Sequence, residues 1–318
     1  MPSGLKLDFK HKKIQIPKFL NKKGIDNRLK CVFSRKVKKG KIGTATISKN
    51  ACGQYFVSFI VHTSEVEKPI VFDSEITLDN SIGIDFGLKH FLTFSDGTKI
   101  DSPEYLRKSL KKVVKEQRKL SKKQSGSNNR NKQRIKFAKL HNHISNQRIN
   151  FLHNLSKKLS DESQVMAICI EDLDIQELMK YWGRKVSDLS YYTFTTMLDY
   201  KLKRRGKRLL KIGRFQPSTQ ICSNCGHRQH MKLTDRIYVC PECGMTLDRD
   251  VNAAKNIKSF ALRDIIKNLN TDATSGINAC GVEGSDFGCQ TSKMKPSTLK
   301  QENLRETQSP SISTVFSR

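Results

Sequence analysis

Ser81–Ile100, SIGIDFGLKHFLTFSDGTKI, is the stretch from which the rest of the chain is read. Ile82, Ile84 and Phe86 alternate as the apolar face of a buried strand, and Gly83 and Gly87 leave room for another backbone to come close. Asp85 stands in the middle of that strand. A buried carboxylate without a partner is costly, so this one must be paired, protonated or bound to metal. Asp96-Gly97 is a turn signal that folds Phe91–Ser95 back onto Thr98–Ile100.

An acid-bearing strand followed by two hairpin-linked strands is how a ribonuclease-H-type sheet begins. From Tyr105 to Ser160 the pattern turns helical. Leu106, Leu110, Val113, Val114 and Leu120 mark one amphipathic face; Phe137, Leu140, Ile144, Phe151, Leu155 and Leu159 mark a second, with SGSNN at 125–129 as the break. Glu116 stands against Arg107, Lys108, Lys111, Lys112, Lys115, Arg118, Lys119, Lys122 and Lys123. A charge run is usually a solvated face. Crowding of one sign repels itself, however, and makes sense chiefly against phosphates, so this helical hairpin is read as a nucleic-acid surface.

Val165–Ile170 is a second buried strand, ending in Glu171 at its carboxyl edge, with Asp172 directed to the opposite side. Residues 188–204 form a helix with Tyr191, Phe194, Met197, Leu198 and Leu202 inward, and Leu209–Ile212 is a further short strand. Then comes CSNCGHRQHMKLTDRIYVCPECGMTLDRDVNAAKNI, residues 222–257, with two CxxC pairs separated by fourteen residues. Two such knuckles, from Cys222/Cys225 and Cys240/Cys243, make a closed four-cysteine site for structural zinc around a small hairpin. A redox dithiol or two unrelated cysteine pairs are the alternatives, disfavoured in a reducing compartment. Beyond the last cysteine, Asp248 is a plausible helix N-cap, and Asp250 shares a face with Ala254 and Ile257. Ala253 and Ala254 would let that helix approach a sheet closely.

Upstream, residues 1 to about 65 read as strands, with Lys41–Lys49 and Gln54–His62 paired across Asn50–Gly53 and Tyr55, Val57, Phe59 and Val61 alternating inward as core. Residues 66–80 read as a linker, and the Ser/Thr-rich tail from 269 to 318 as disordered. The net charge of +29 points to a polyanionic partner, nucleic acid by default. No apolar run reaches the ~20 residues of a membrane span and no signal peptide is visible, so a bacterial or archaeal cytoplasmic location is expected.

Asp85, Glu171 and Asp250 thus stand on three separate core elements that a sheet with packed helices can bring together. Read apart, they are three ordinary acids. Read together, oxygen ligands without histidine suit magnesium or manganese, and two such ions can activate a water against a phosphodiester.

GIDFGLKHF, ICIEDL, STQICSNCG, YVCPECG and LDRDVNAAKNI, in this order between about residues 28 and 260, resemble the motif series of the TnpB (OrfB) family of insertion sequences, itself similar to the type V CRISPR effectors. The resemblance implies an α/β, RuvC-like ribonuclease-H fold. The expected arrangement is a partial β-barrel (wedge-like) domain at 1–65, a nuclease core at 81–216 with the basic hairpin 105–160, a zinc ribbon at 217–247 and a last RuvC segment at 248–268. It implies Asp85, Glu171 and Asp250 as catalytic magnesium ligands, Cys222, Cys225, Cys240 and Cys243 as zinc ligands, and RNA-guided cleavage of DNA with a guide from the transposon end. Family chains usually begin with a further barrel strand and a helical domain, so this chain reads as N-terminally short. A nucleic-acid-binding accessory without useful cleavage is therefore the second reading. A zinc-ribbon protein of transcription or the ribosome is a third, which leaves the three acids unexplained.

Overall fold

The computed structural model describes residues 6–15, 28–34, 40–63, 69–232, 234–275 and 312–316. They fall into two units, one from residues 1–65, 122–139 and 281–318, the other from 66–121 and 140–280.

In the first unit, β1 (Lys6–Asp8), β2 (Lys13–Gln15) and β3 (Leu29–Lys30) form one antiparallel sheet. A second sheet has the order β4 (Val32–Phe33), β14 (Ile312–Phe316), β6 (Tyr55–His62) and β5 (Lys41–Lys49). The β5–β6 turn forms because Asn50 Oδ1 accepts the N–H groups of Cys52 and Gln54, at 3.0 and 2.9 Å, and Gly53 takes φ +82°. Val57 and Phe59 are buried with Ile14 and Cys31. Tyr55, expected inward, is instead 39% exposed, its ring under the Lys49 ammonium. The tail expected to be disordered contributes β14, where Ile312, Thr314, Val315 and Phe316 favour a strand despite the Ser/Thr-rich surroundings. Residues 276–311 and 317–318 of that expectation lie outside the described residues.

The second unit is a mixed α/β layer structure. Its sheet has the order β11-β10-β7-β8-β9. β7 (Ser81–Phe86), β8 (His90–Phe94) and β9 (Lys99–Asp101) run as an antiparallel meander, while β10 (Ala167–Glu171) lies parallel to β7, and β11 (Arg208–Ile212) parallel to β10. Asp96-Gly97 makes the expected turn, with Gly97 at φ +93°. β10 is covered on both faces, which is why it reads as an unbroken apolar run. Ile168 and Ile170 enter a core with Leu152, Phe194 and Leu198; Ala167 and Cys169 enter another with Ile257, Phe260 and Ala261.

Among the described residues the α-helices are α1 (Tyr105–Ser121), α2 (Asn128–Asp161), whose residues 128–139 belong to the first unit, α3 (Ile175–Leu189), α4 (Tyr191–Lys203) and α5 (Arg249–Ser275). Only Val113 of the expected apolar face of α1 is fully buried; Leu110 and Val114 are more than a third exposed. α3 was not anticipated from the sequence. Asp174 caps it by accepting the Glu177 N–H at 3.0 Å. At its far end Asp188 accepts the Leu106 N–H of α1 at 3.0 Å and pairs with Arg148 of α2 at 2.9 Å. The expected linker is docked: Val71 N–H reaches Gly206 O at 2.8 Å, Ile76 is buried and Asp73 pairs with Arg208. Val71 and Ile76 supply the apolar surface that holds it down.

Candidate functional site

Asp85 is the penultimate residue of β7 and Glu171 the last of β10. The parallel register sets Ile84 beside Ile170, so both acids leave the sheet at the same carboxyl edge. Asp250 is the second residue of α5, which crosses β7 so closely that a methyl on Gly83 would lie 2.0 Å from the Ala254 carbonyl oxygen. Small residues on both sides, Gly83 on the strand and Ala253 and Ala254 on the helix, permit that approach.

Asp85 feels the charge of both other carboxylates. Burial pushes Asp85 well above the usual carboxylate range, and the charges of Glu171 and Asp250 push it further, against the opposing pull of Arg249. Burial also raises Glu171, partly offset by the Ser218 hydroxyl that donates to its Oε1. Arg249 lies 3.4 Å from Asp250 Oδ1.

Two neighbouring acids do different work. Asp248 is the N-cap of α5, its Oδ1 accepting the N–H groups of Asp250 and Val251 at 3.1 and 3.2 Å. Burial pushes Asp248 up, but the Lys99 ammonium at 2.7 Å and the Val251 N–H outweigh it and hold it below its ordinary value. Asp172 pairs with Arg214 at 3.2 Å.

A cavity of about 580 Å³ opens beside the carboxylates, lined by Asp85 and Asp250, by the cations Arg107, Lys185, Arg236 and Arg249, and by Trp182. Tyr191, also on its wall, donates from its hydroxyl to Gly87 O at 2.7 Å. Burial and the Asp85 charge push its phenol above the usual range, keeping it a neutral donor.

The four cysteines form a separate cluster whose sulfur atoms all lie within 4.8 Å of one another. Cys222 Sγ is 3.7 Å from Cys243 Sγ, and Cys225 Sγ 3.5 Å from Cys240 Sγ. A tetrahedron with Zn–S bonds of about 2.3 Å has edges of about 3.8 Å, so the quartet fits a structural zinc ion. Each knuckle closes through a left-handed glycine, Gly226 at φ +79° and Gly244 at φ +68°. β12 (Ile237–Val239) and β13 (Thr246–Asp248) form the hairpin that carries the second knuckle. The N–H of Met245, helped by the Asn224 side chain, draws the Cys243 thiol down to about 6. Among the described residues this quartet is the group of potential ligands gathered to such spacing; the three carboxylates are spread wider.

Sequence reading missed what holds this module to α5. Asn252 is fully buried, donating to Ile221 O at 2.7 Å and accepting the Ser223 N–H at 2.9 Å. Asn256 donates to Ser218 O and Ile221 O at 2.7 and 2.6 Å. The available signal was their i, i+4 spacing on the same helix as Asp250. On α1, Lys108, Lys111, Lys112, Lys115, Arg118 and Lys119 are all exposed, as is Lys122 beyond it, whereas Lys123 is half-buried. No helix among the described residues is long and apolar enough to cross a membrane.

Residues 63–181 match the family model OrfB_IS605, described as "Probable transposase", and residues 191–257 match the Cas12f1-like TNB domain. A "Putative RNA-guided DNA endonuclease" of Streptomyces pristinaespiralis is 34% identical over 83% of this chain and 60% of its own length. The Escherichia coli K12 protein of that description, InsQ, is 31% identical over 80% of this chain and 64% of its own. The chain therefore spans less than two thirds of either relative. Among solved structures, a Cas12f1–sgRNA–target DNA complex aligns at 18% identity and a TM-score of 0.42, over 64% of this chain and 55% of that one. The two family models take in both acid-bearing strands, the cysteine quartet and Asp250, and the chain belongs to the TnpB (OrfB) family.

Proposed function

We propose that the protein is a divalent-metal-dependent DNA endonuclease guided by RNA, with a RuvC-like, ribonuclease-H-type core at residues 81–216 and 248–268, a zinc ribbon at 217–247 and a wedge-like β domain at 1–65. The observation that carries this reading is the meeting of Asp85, Glu171 and Asp250 at one sheet edge, beside a cavity walled by Arg and Lys. The meander followed by two parallel strands is the strand order such a core requires, and the relatives described as RNA-guided DNA endonucleases point the same way.

The donor set fits magnesium or manganese: three hard oxygen donors, with Asp85 raised first by burial and then by the charges of Glu171 and Asp250, a repulsion that a cation relieves. Such ions, when bound, supply a nucleophile from water and stabilise the leaving oxygen. Asp85, Glu171 and Asp250 would hold them. Ser218 fixes the orientation of Glu171, and Asp248, braced by Lys99, fixes the start of α5 and so the position of Asp250. Arg107, Lys185 and Arg236 on the cavity wall offset the charge of the phosphates, and the exposed lysines of α1 draw in DNA and the guide RNA.

The test is cleavage of matched DNA by the chain with magnesium and a guide RNA from the transposon end. Asp85→Asn, Glu171→Gln and Asp250→Asn are each expected to abolish cutting with binding nearly unchanged, because an amide keeps the shape but not the charge. Asp248→Asn is expected to cost little, since Asn still caps a helix. Cutting at full rate by Asp250→Asn would overturn the assignment. Binding without cleavage by the unaltered chain would leave the accessory reading.

A further inference from the structure

We propose that Trp182 is a base-stacking residue, holding one unpaired nucleotide of a strand that lies in the carboxylate cavity. This rests on the nuclease reading only in taking that strand to be the substrate.

The backbone is shaped to present this side chain. α3 breaks at Trp182, whose φ of −128° and ψ of 29° are not helical. The next residue is Gly183, the residue type at which helices bend. Outside its chain neighbours and its own helix backbone, nothing lies within 4 Å of where a Gly183 Cβ would sit, so this glycine does not serve close packing. The break leaves Trp182 41% exposed on the wall of the cavity that Asp85 and Asp250 also line. Tyr181 stands behind it, 73% exposed, its ring centroid 5.9 Å away and tilted by 52°. Large aromatic rings normally earn their place by burial or by a specific partner. Here two consecutive ones sit outside the core, and Trp182 lies on the wall of the cavity that Asp85 and Asp250 line.

The surroundings select the partner. On the wall shared with Trp182, Arg107 pairs with Glu104 and Arg249 with Asp250, while Lys89, Lys185 and Arg236 stand against Asp85, so the cations are in excess and an anionic ligand is favoured over an apolar one. An aromatic face among cations, without a set of amide groups aimed at base edges, is the arrangement that binds single strands with little regard to sequence. A base inside a duplex is covered on both faces by its neighbours, so only an unpaired base offers its face to the indole. The occupant is therefore a single-stranded nucleic acid, its phosphates on the cations and one base on Trp182.

The chain contains a single tryptophan, so its intrinsic fluorescence reports on this residue alone. The full-length chain, without added magnesium, is titrated with an oligo-dT of about a dozen nucleotides and with an abasic strand of equal length and charge. Oligo-dT is expected to quench the emission strongly and to bind at least about fivefold more tightly than the abasic strand. By anisotropy of labelled strands, Trp182→Ala is expected to reduce oligo-dT affinity to the abasic level and leave abasic binding unchanged, while Trp182→Phe retains most of the preference. Equal quenching and affinity for the two probes on the unaltered chain overturns the proposal, whatever the variants do. So does an undiminished preference for oligo-dT in Trp182→Ala. Asp250→Asn is expected to keep the full fluorescence response. Quenching without any cleavage by the unaltered chain therefore counts against the nuclease reading alone, and cleavage without a base-dependent response against the stacking alone.

Discussion

Replacing Gly83 by alanine tests whether α5 is seated on β7 as closely as the structure has it. A Cβ there would lie 2.0 Å from the Ala254 carbonyl oxygen and 2.9 Å from Lys258 Cβ. Ordinary contact begins at 3.4 Å, so the helix must retreat about 1.4 Å or the strand must bend. Neither side yields cheaply: the obstructing atom is backbone, and Ala253, Ala254 and Ile257 are fully buried. Overpacking of this kind costs about 3 kcal/mol, enough to lower the melting temperature by about 6–12 °C. The displaced helix carries Asp250, and a misplacement of about 1 Å at a reacting centre costs on the order of a hundredfold in rate. The assay is thermal unfolding by circular dichroism alongside guided DNA cleavage. Gly183→Ala is the control for unfolding alone: outside its chain neighbours and its own helix backbone nothing lies within 4 Å of its Cβ position, so no overpacking penalty is expected there. A Gly83→Ala protein within about 0.5 kcal/mol of the parent would refute the close seating.

Three further outcomes are expected. The folded chain should carry one zinc by metal analysis, and Cys222→Ser should abolish that binding and expose the 218–248 segment to proteolysis, because the metal supplies its folding energy. Asp188→Ala removes a cap on α1 and strands the largely buried Arg148, which should cost about 3 kcal/mol in denaturant unfolding; Asp188→Asn, which still caps, should cost less. Asp85 and Glu171 are raised in the folded protein, which therefore holds more protons than the unfolded chain. Stability without divalent metal should fall as pH rises from the ordinary carboxylate value upward. Added magnesium should reverse that loss, and Asp85→Asn should shrink both the pH dependence and the reversal.

The strands were legible where the sequence alternates or runs apolar: β7 and the Asp-Gly turn stand as read, and β10 begins at Ala167 rather than Val165. So were the two CxxCG knuckles, because their geometry is local. The placement of Asp85, Glu171 and Asp250 on three elements followed from strand and helix periodicity, and Gly83 and Ala254 signalled the close approach of α5. α3 escaped notice because Trp182 and Gly183 interrupt its helical period, and its stabilising contacts, from Asp188 to Leu106 and Arg148, span 82 and 40 residues. Residues 66–80, of which 66–68 lie outside the described residues, read as a linker because Val71 and Ile76 are isolated apolar residues whose burial depends on a sheet edge formed much later in the chain. Tyr55 fits the inward alternation of β6, but the stem and charge of Lys49 supply a partner on the outer face.

The grip of Asn252 and Asn256 on the cysteine module falls entirely on backbone atoms, the carbonyls of Ser218 and Ile221 and the N–H of Ser223. It is therefore indifferent to which side chains those three positions carry. Ser218 illustrates the separation: its carbonyl serves the anchor while its hydroxyl serves Glu171, so the two duties can change independently. A module held this way is interchangeable in its lettering but not in its path, free to vary in sequence so long as the chain enters the first knuckle along the same trace.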